Sequence, residues 1–291
     1  MLTSCQIVLP IKAGRTGNNL FQLAFAHYLS KQFGNAEIVH FGLPELEIPE
    51  HPAYRWAIGL QADFIVNQDT DLRIPLFNSE LKMTSGIIQT SAWGMNSKYF
   101  EESRDYLLKL LPQRLLTHDA TTSELETETL CHVRGGDVWD RSRFRNGKNL
   151  HPDYSALPVS YYEKILETSN KSIKFLIEKS TPDWYTTLLV DRFGQTAISS
   201  SSTVQIDFRR MLLAYDLGLS LSTFSWMAGF LGNANVVHFP VIGLFNPLQR
   251  PDLDFSMKEK KVQKYFFSPH NWTGSKKDIP WLLNSNVKVG T

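Results

Sequence analysis

Thr129-Leu130-Cys131-His132-Val133-Arg134-Gly135-Gly136-Asp137 decides how the chain is read, because an apolar run ends there on a polar, glycine-bearing turn. Thr129–Val133 has the short, buried character of a strand, and alternation puts His132 and Arg134 on one side of it. The same grammar repeats downstream. Ser160–Glu167 begins a helix, Ile173–Glu178 is a buried-strand pattern, Asp183–Phe193 fits a helix and Ala197–Ser199 a short strand. Asp207–Leu217 reads as helix, with Phe208, Met211, Leu212 and Tyr215 on one side. Leu219–Leu221 then reads as strand, Phe224–Leu231 as helix and Val236–Phe239 as strand. Strands alternating with helices predict a right-handed parallel sheet covered by helices on both faces.

Upstream lies a second unit of the same kind. Gln6–Ile11 reads as strand, Gly14-Arg15-Thr16-Gly17-Asn18-Asn19 as a glycine turn, and Leu20 to Phe33-Gly34 as helix. Leu20, Leu23, Ala24, His27 and Tyr28 share one helical face, and Gly34 fits the stop position. Residues 41–100, with Pro44, Pro49, Pro52 and Pro75, predict short strands and loops. Tyr99–Leu116 predicts one helix with Phe100, Ser103, Tyr106, Leu107, Leu110 and Leu111 on its apolar side. Asp119–Thr129 is polar without periodicity, which places the domain boundary near residue 125. The expected architecture is α/β: two Rossmann-like domains, 1–125 and 126–291, facing each other across a cleft.

Composition narrows the function. The 291 residues are 42% hydrophobic and 20% charged, which excludes a disordered chain. Lys and Arg number 30 against 29 for Asp and Glu, so there is no bulk electrostatic case for nucleic acid or an acidic membrane surface. Any anion must be held locally. Cys5 and Cys131, the two cysteines, are too few for a disulfide framework or a zinc cage. The first residues lack the basic and apolar regions of a signal peptide, and no apolar run reaches the roughly 20 residues that span a bilayer. A cytoplasmic protein is the expectation, so the sequons Asn170-Lys171-Ser172 and Asn271-Trp272-Thr273 read as chance matches.

Three segments carry candidate chemistry, each with a structural alternative. The turn at Gly14–Asn19 presents backbone N–H groups and a positive helix end to an anion, with Arg15 as a further donor. Its alternative is a tight turn whose glycines satisfy backbone geometry. His132-Val133-Arg134-Gly135-Gly136-Asp137 sits at a strand's carboxyl end, where α/β proteins bind ligands. Arg134 suits a diphosphate at the mouth of a cleft, His132 a base edge or phosphate, and the glycines allow close approach to the backbone. Its alternative is an Arg134–Asp137 ion pair steadying a turn, with His132 a satisfied core residue. Ser220-Leu221-Ser222-Thr223-Phe224-Ser225 offers hydroxyls and N–H groups at a helix start, against ordinary capping by Ser222, Thr223 or Ser225. Asp207 reads locally as a cap.

Metal chemistry has little support. Asp69-Thr70-Asp71 and Asp252-Leu253-Asp254 show an Asp-x-Asp spacing, but 15 aspartates produce such pairs by chance. His132, Asp137, Asp140, His151 and Asp153 match no recognised ligand spacing, and no nucleophile elbow or Cys–His signature is present. The tryptophans, Trp93, Trp139, Trp226 and Trp272 among them, read mostly as core.

Taken together the segments resemble a known family. Gly14-Arg15-Thr16-Gly17-Asn18-Asn19-Leu20-Phe21-Gln22-Leu23-Ala24-Phe25-Ala26 resembles the Gly-x-x-Gly-Asn-Gln-Leu-Phe-Gln-Tyr-Ala opening of the α-1,2-fucosyltransferases, glycosyltransferase family 11. His132 to Asp137 matches that family's His-x-Arg-x-Gly-Asp, and Asp207 to Asp216 with Ser222-Thr223-Phe224-Ser225-Trp226 resembles its Ser-Thr-Phe-Ser-Trp-Trp segment and the helix before it. Departures are Asn19 for Gln, Met227 for the second Trp, and Gly135 where many members have a second Arg. The resemblance implies a GT-B fold and an inverting, metal-independent transfer of L-fucose from GDP-fucose to a glycan hydroxyl, the galactose 2-hydroxyl by expectation. No cofactor is implied beyond that donor. By matching positions, Arg134 would hold the diphosphate, His132 and Asp207 would contact guanosine, and Ser222, Thr223, Phe224 and Ser225 the phosphates. Gly14, Arg15 and Asn18 would line the cleft from the N-terminal half. Two alternatives remain: another nucleotide sugar as donor, or a non-catalytic nucleotide- or glycan-binding protein.

Overall fold

The computed structural model of the chain describes residues 5–12, 14–66, 86–90, 92–118, 127–139, 153–268 and 270–290. It contains two compact units, Met1–Pro112 and Gln113–Thr291. The expected boundary near residue 125 lies outside the described residues.

In the first unit, β1 (Cys5–Val8) leads into α1 (Thr16–Gln32), then β2 (Glu37–Val39), the single turn α2 (Tyr54–Ala57), β3 (Phe64–Val66) and β4 (Gly86–Thr90). The strands form a parallel sheet in the order β2-β1-β4-β3. The turn expected over Gly14–Asn19 is shorter, since α1 starts at Thr16 and takes in Gly17, Asn18 and Asn19, and Gly34 ends the helix at φ +68°, the left-handed stop that glycine adopts without a Cβ clash. Burial reaches further round α1 than one face: Phe21 and Phe25 are buried with Leu20, Leu23 and Ala24, while His27 and Tyr28 are half-exposed. Phe21 meets Phe100 edge-on at 5.5 Å, and Phe25 meets Tyr99 at 4.9 Å.

The single helix expected over Tyr99–Leu116 is instead broken into α3 (Ser97–Phe100), a 3-10 turn, α4 (Arg104–Leu110) and α5 (Gln113–Leu116). Leu111 is extended (ψ 137°) because Pro112 disfavours helical backbone at the residue before it. Ser103 turns its hydroxyl to the carbonyls of Ala24 and Tyr99, at 2.8 and 2.9 Å, at the other break.

The second unit carries the alternation further. Its elements are β5 (Glu128–Val133), α6 (Val159–Ser169), β6 (Ser172–Ile177), α7 (Asp183–Phe193), β7 (Ile198–Ser200), α8 (Val204–Leu213), β8 (Asp216–Gly218), α9 (Thr223–Leu231), β9 (Val236–Val241), β10 (Val262–Phe267), α10 (Ile279–Asn284) and β11 (Val287–Gly290). Sheet order is β11-β10-β9-β8-β5-β6-β7, parallel except for β11. Two boundaries differ from expectation. Thr203 accepts from the Ile206 N–H and starts α8 before Asp207, and Ala214 is extended and ends it. The strand is therefore Asp216–Gly218, paired with Thr129–Cys131, and Leu219–Leu221 lies just past it. Gly218 permits that pairing, since a Cβ there would sit 2.5 Å from Cys131 Sγ.

Both cysteines are buried and free. Among the described residues no helix is long and apolar enough to cross a membrane.

Candidate functional site at the carboxyl edge of the second sheet

The topology singles out one place. From β5 the chain steps outward through β6 to β7, then returns to lay β8 on the other side of β5 and steps away through β9 and β10. The stepping direction reverses between β5 and β8. In open parallel sheets the loops leaving the strands on either side of such a reversal diverge and leave a crevice at the carboxyl edge. Here those loops are Arg134–Asp137 and Leu219–Ser222.

Each loop brings polar groups into the sheet edge. His132, 1% exposed, has Nδ1 at 2.7 Å from Ser220 Oγ and Nε2 at 3.5 Å from Glu178 Oε1 at the end of β6. Ser220 Oγ lies 3.4 Å from Ser225 Oγ, whose hydroxyl reaches the Ser222 carbonyl at 3.2 Å. Ser222 is the cap of α9, accepting from the Phe224 N–H at 3.3 Å. The Phe224 ring stands 6.1 Å from His132 and 5.2 Å from Phe208 of α8. Thr223 is buried in the first turn of α9.

Arg134 spans the reversal. Its Nη1 donates to the Leu221 carbonyl at 2.8 Å, its Nη2 to both Asp137 carboxylate oxygens at 3.0 and 2.9 Å, and its guanidinium lies 4.1 Å above the Tyr154 ring. Trp139 Nε1 donates to the Arg134 carbonyl at 3.1 Å. At 7% exposure the side chain is not standing in water at a cleft mouth, as its sequence position suggested. The ion pair with Asp137, weighed above as the structural alternative, is present.

The glycines also act differently from expectation. A Cβ on Gly135 would meet Ser180 Oγ at 2.5 Å and the Thr181 backbone nitrogen at 2.9 Å, so its smallness accommodates the β6–α7 loop of the chain itself. Gly136 needs its residue type for conformation, at φ +67°.

Asp207 lies in the first turn of α8, 6% exposed, and does not cap it. One carboxylate oxygen accepts from the Ser201 hydroxyl, the other from the Ser202 N–H at 3.0 Å. The carboxylate thus pins the loop leaving β7 to α8.

In the first unit, Gly14 sits at φ +77°, with space for a Cβ blocked by Asn18 Nδ2 at 2.5 Å. Arg15 occupies the cap position of α1 with extended backbone and makes no side-chain cap bond. The structure therefore gathers His132, Arg134, Ser222, Thr223, Phe224 and Ser225 at one edge of the second unit, with Asp207 on α8, packed against α9 through Phe208. Gly14, Arg15 and Asn18 are gathered on one turn of the first. Sequence reasoning missed Glu178 and Tyr154. Glu178 closes a strand pattern, and a survey of polar residues at strand carboxyl ends finds it; Tyr154 has no sequence signal.

Among the described residues no group of three His, Cys, Asp or Glu side chains is placed to hold a metal ion. Asp252 pairs with Arg250 at 2.7 Å, and Asp254 accepts from the Ser256 N–H at 2.9 Å. Asp69, Asp71, Asp140 and His151 lie outside the described residues.

No model of a known protein family matches the sequence, and no curated protein does. Among solved structures, a point mutant of Arabidopsis thaliana FUT1 in complex with GDP is similar, with TM-score 0.49 and 13% identity, over 93% of this chain and 72% of that one. A likeness of that degree carries no argument about activity.

Proposed function

We propose that the β5/β8 edge of the second unit binds the diphosphate of a nucleotide sugar, and that the protein is an inverting glycosyltransferase working without a metal ion. The sequence resemblance names the donor as GDP-fucose and the acceptor as a glycan hydroxyl, the galactose 2-hydroxyl. One observation supports this reading above others: segments 87–88 residues apart meet directly at the topological reversal, His132 on Ser220 and Arg134 on the Leu221 carbonyl.

The chemistry follows from charge. As the glycosidic bond breaks, negative charge gathers on the departing diphosphate while the sugar becomes oxocarbenium-like. A fixed guanidinium and backbone N–H groups at a helix start oppose that charge at a cost already met in folding. Arg134 has its fork on Asp137, and in this proposal diphosphate oxygens replace that carboxylate with the same bidentate geometry. His132, held by Glu178 and Ser220, keeps the strand end rigid beneath it. Asp207 would accept from the guanine edge once Ser201 and Ser202 yield.

The Arg134–Asp137 pair also favours a second reading, a nucleotide- or glycan-binding protein in which Arg134 only steadies a turn. A thermal-shift panel with and without EDTA, followed by a GDP-release assay with galactoside acceptors, tests both. Stabilisation by GDP and GDP-fucose, but not UDP or CDP-sugars, that survives EDTA is the expected outcome. Stabilisation without turnover supports the second reading; no response to any nucleotide removes the glycosyltransferase and nucleotide binding alike, leaving only glycan binding. Activity lost to EDTA and restored by Mn²⁺ overturns the metal-free mechanism and returns attention to Asp69 and Asp71.

A further inference from the structure

Transfer to a glycan hydroxyl releases a proton, and neither His132 nor His238, at 1% and 2% exposure, stands where an acceptor could reach it. We propose that His270, oriented by Asp278, is the general base that takes the proton of the acceptor hydroxyl. The inference rests on the glycosyltransferase reading above and adds to it the residue that activates the acceptor.

The loop after β10 builds this pair. β10 runs parallel to β9, so the loop leaves from the same carboxyl edge as the Arg134 turn. Asp278, 1% exposed, closes it: the carboxylate accepts from the Thr273 N–H at 3.2 Å, the Thr273 hydroxyl at 2.8 Å and the Ser275 N–H at 3.0 Å. Those bonds hold the loop without His270. The imidazole is added from outside, with Nε2 at 2.9 Å from Asp278 Oδ1. Its ring lies flat on Trp281, centroids 4.5 Å and planes 8° apart. One contact fixes the direction of the ring and the other its plane. A carboxylate facing Nε2 calls for the proton there, which leaves the lone pair on Nδ1. Nδ1 has no hydrogen-bond partner among the described residues, and the side chain is 23% exposed. A histidine that only clamped the loop would have no use for an open nitrogen; a base requires one.

A row of tryptophans joins the pair to Arg134. His270 stands 6.4 Å from Trp272, Trp272 5.1 Å from Trp139, and Trp139 5.4 Å from Trp184, ring centre to ring centre. Trp272 Nε1 donates to the Val138 carbonyl at 2.9 Å, although β9 and β8 lie between β10 and β5 in the sheet. With Trp139 on the Arg134 carbonyl, the loop is tied to the turn that carries the guanidinium. Trp184 and Trp272 are half-buried, and aromatic walls with a few placed polar groups are the usual make-up of a small-molecule site. In the step itself, the acceptor oxygen bonds to the anomeric carbon as the bond from that carbon to the diphosphate oxygen breaks, its electron pair leaving with the nucleotide. The acceptor proton passes to Nδ1. Asp278 balances the imidazolium until the proton is lost to water.

Two variants of the full chain test the assignment, read as GDP release from GDP-fucose with galactoside acceptors. His270→Gln keeps an amide that can donate to Asp278 and lie on Trp281, but it has no basic nitrogen. It should lose about 10²–10⁴-fold in kcat, the range of general-base catalysis, with KM for GDP-fucose and the thermal shift by GDP unchanged. His270→Ala should lose as much and recover about tenfold or more on addition of free imidazole, which should not speed the unaltered chain or His270→Gln. A normal kcat in either folded variant overturns the assignment. So does a loss in His270→Ala that imidazole leaves in place while the melting temperature is unchanged; if that temperature falls, His270→Gln decides alone. A chain that responds to GDP but turns nothing over removes the glycosyltransferase reading and this base with it, whereas turnover that survives the loss of His270 removes the base alone.

Discussion

Both units carry a glycine turn after a parallel strand, and the two turns are built for different reasons. Gly14 opens into a 17-residue helix, and its missing Cβ leaves room for the side chain of Asn18. Gly135 opens into a three-residue 3-10 turn, and its missing Cβ leaves room for Ser180 Oγ and for the backbone of Ser180 and Thr181 in the β6–α7 loop. The first turn can offer an anion only what a long helix start offers: N–H groups and a dipole. The second has no helix of that length behind it, and its charge comes from Arg134. Written as sequence the turns look alike; only the neighbour across the gap tells a glycine of packing from a glycine of approach.

Replacing Arg134 by Lys should break this comparison most sharply. Lysine keeps the charge but loses the planar fork that holds Asp137 and the Leu221 carbonyl together. If the fork stabilises the departing diphosphate, kcat should fall by about 10²–10³, the scale of about 2.7–4 kcal/mol for one preorganised donor, with a much smaller change in GDP-fucose affinity. The melting temperature without ligand should fall as well, because a 7% exposed ammonium replaces a fully engaged guanidinium. Single-turnover rate normalised to folded protein separates the two effects. A normal rate per folded molecule would assign Arg134 to the turn alone.

Acid should act on both units at once. Burial pushes His40 of the first unit and His238 of the second down from 6.5 to about 4, with His51 adding to the effect on His40. His238 is held by the Tyr265 hydroxyl at 2.8 Å from Nδ1. A depressed histidine pKa means that between pH 6.5 and about 4 the unfolded chain binds the proton and the folded chain does not. Stability therefore rises with pH across that window and is lost on acidification, by about 2–3 kcal/mol for His238 near pH 4.5. Urea unfolding from pH 7 to pH 4.5 should show this slope, and His238→Gln should flatten it. An unchanged slope in that variant would mean that His238 is not buried neutral.

How much of this was legible in the sequence follows from which partners are local. The strand and helix order from β5 to β9 could be read directly because period and turn residues are local signals, whereas β10, α10 and the antiparallel β11 lie beyond the alternation that was read. The Gly34 stop could be read as well, and so could a hydroxyl cap on α9, where Ser222 takes the role that Thr223 and Ser225 could equally have filled. The break at Pro112 is equally local, but the apolar spacing of Tyr99–Leu111 signals an unbroken helix more strongly than one proline signals its end. The environment of Arg134 was not legible, because Leu221 lies 87 residues away and Tyr154 follows a stretch without periodicity. Asp207 misled for the same reason: its position suits a cap, but Thr203 took that role and freed the carboxylate to hold Ser201 and Ser202.

Within the second turn, Gly135→Ala and Gly136→Ala should separate. The first drives a Cβ against backbone at 2.9–3.0 Å and should cost about 1–3 kcal/mol, as overpacking does. The second meets Ser180 Oγ only at 3.5 Å and pays the left-handed conformation alone, about 1 kcal/mol. Chemical denaturation of the two variants reads the difference directly. Equal losses would mean that the β6–α7 loop yields, and that Gly135 is not a packing glycine.

The smallest effect expected is the coupling between Gly14 and Asn18, and a double-mutant cycle is needed to see it. Alanine there meets two penalties: a left-handed backbone at φ +77°, and a Cβ 2.5 Å from Asn18 Nδ2. The first is intrinsic to any L residue and costs about 1 kcal/mol. The second depends on Asn18: turning its amide relieves the 2.5 Å contact and leaves only the milder one to Cβ at 3.2 Å, so it should add only a few tenths of a kcal/mol. Gly14→Ala, Asn18→Ala and the double variant, compared by urea unfolding, isolate that share. If the contact is as relievable as a movable side chain implies, the double variant should be close to additive. A coupling of the size expected for Gly135 would show that Asn18 is held as rigidly as the Ser180–Thr181 backbone, and the distinction between the two turns would fail. Additivity would leave the first turn as a place where the chain has kept room beside a long helix start.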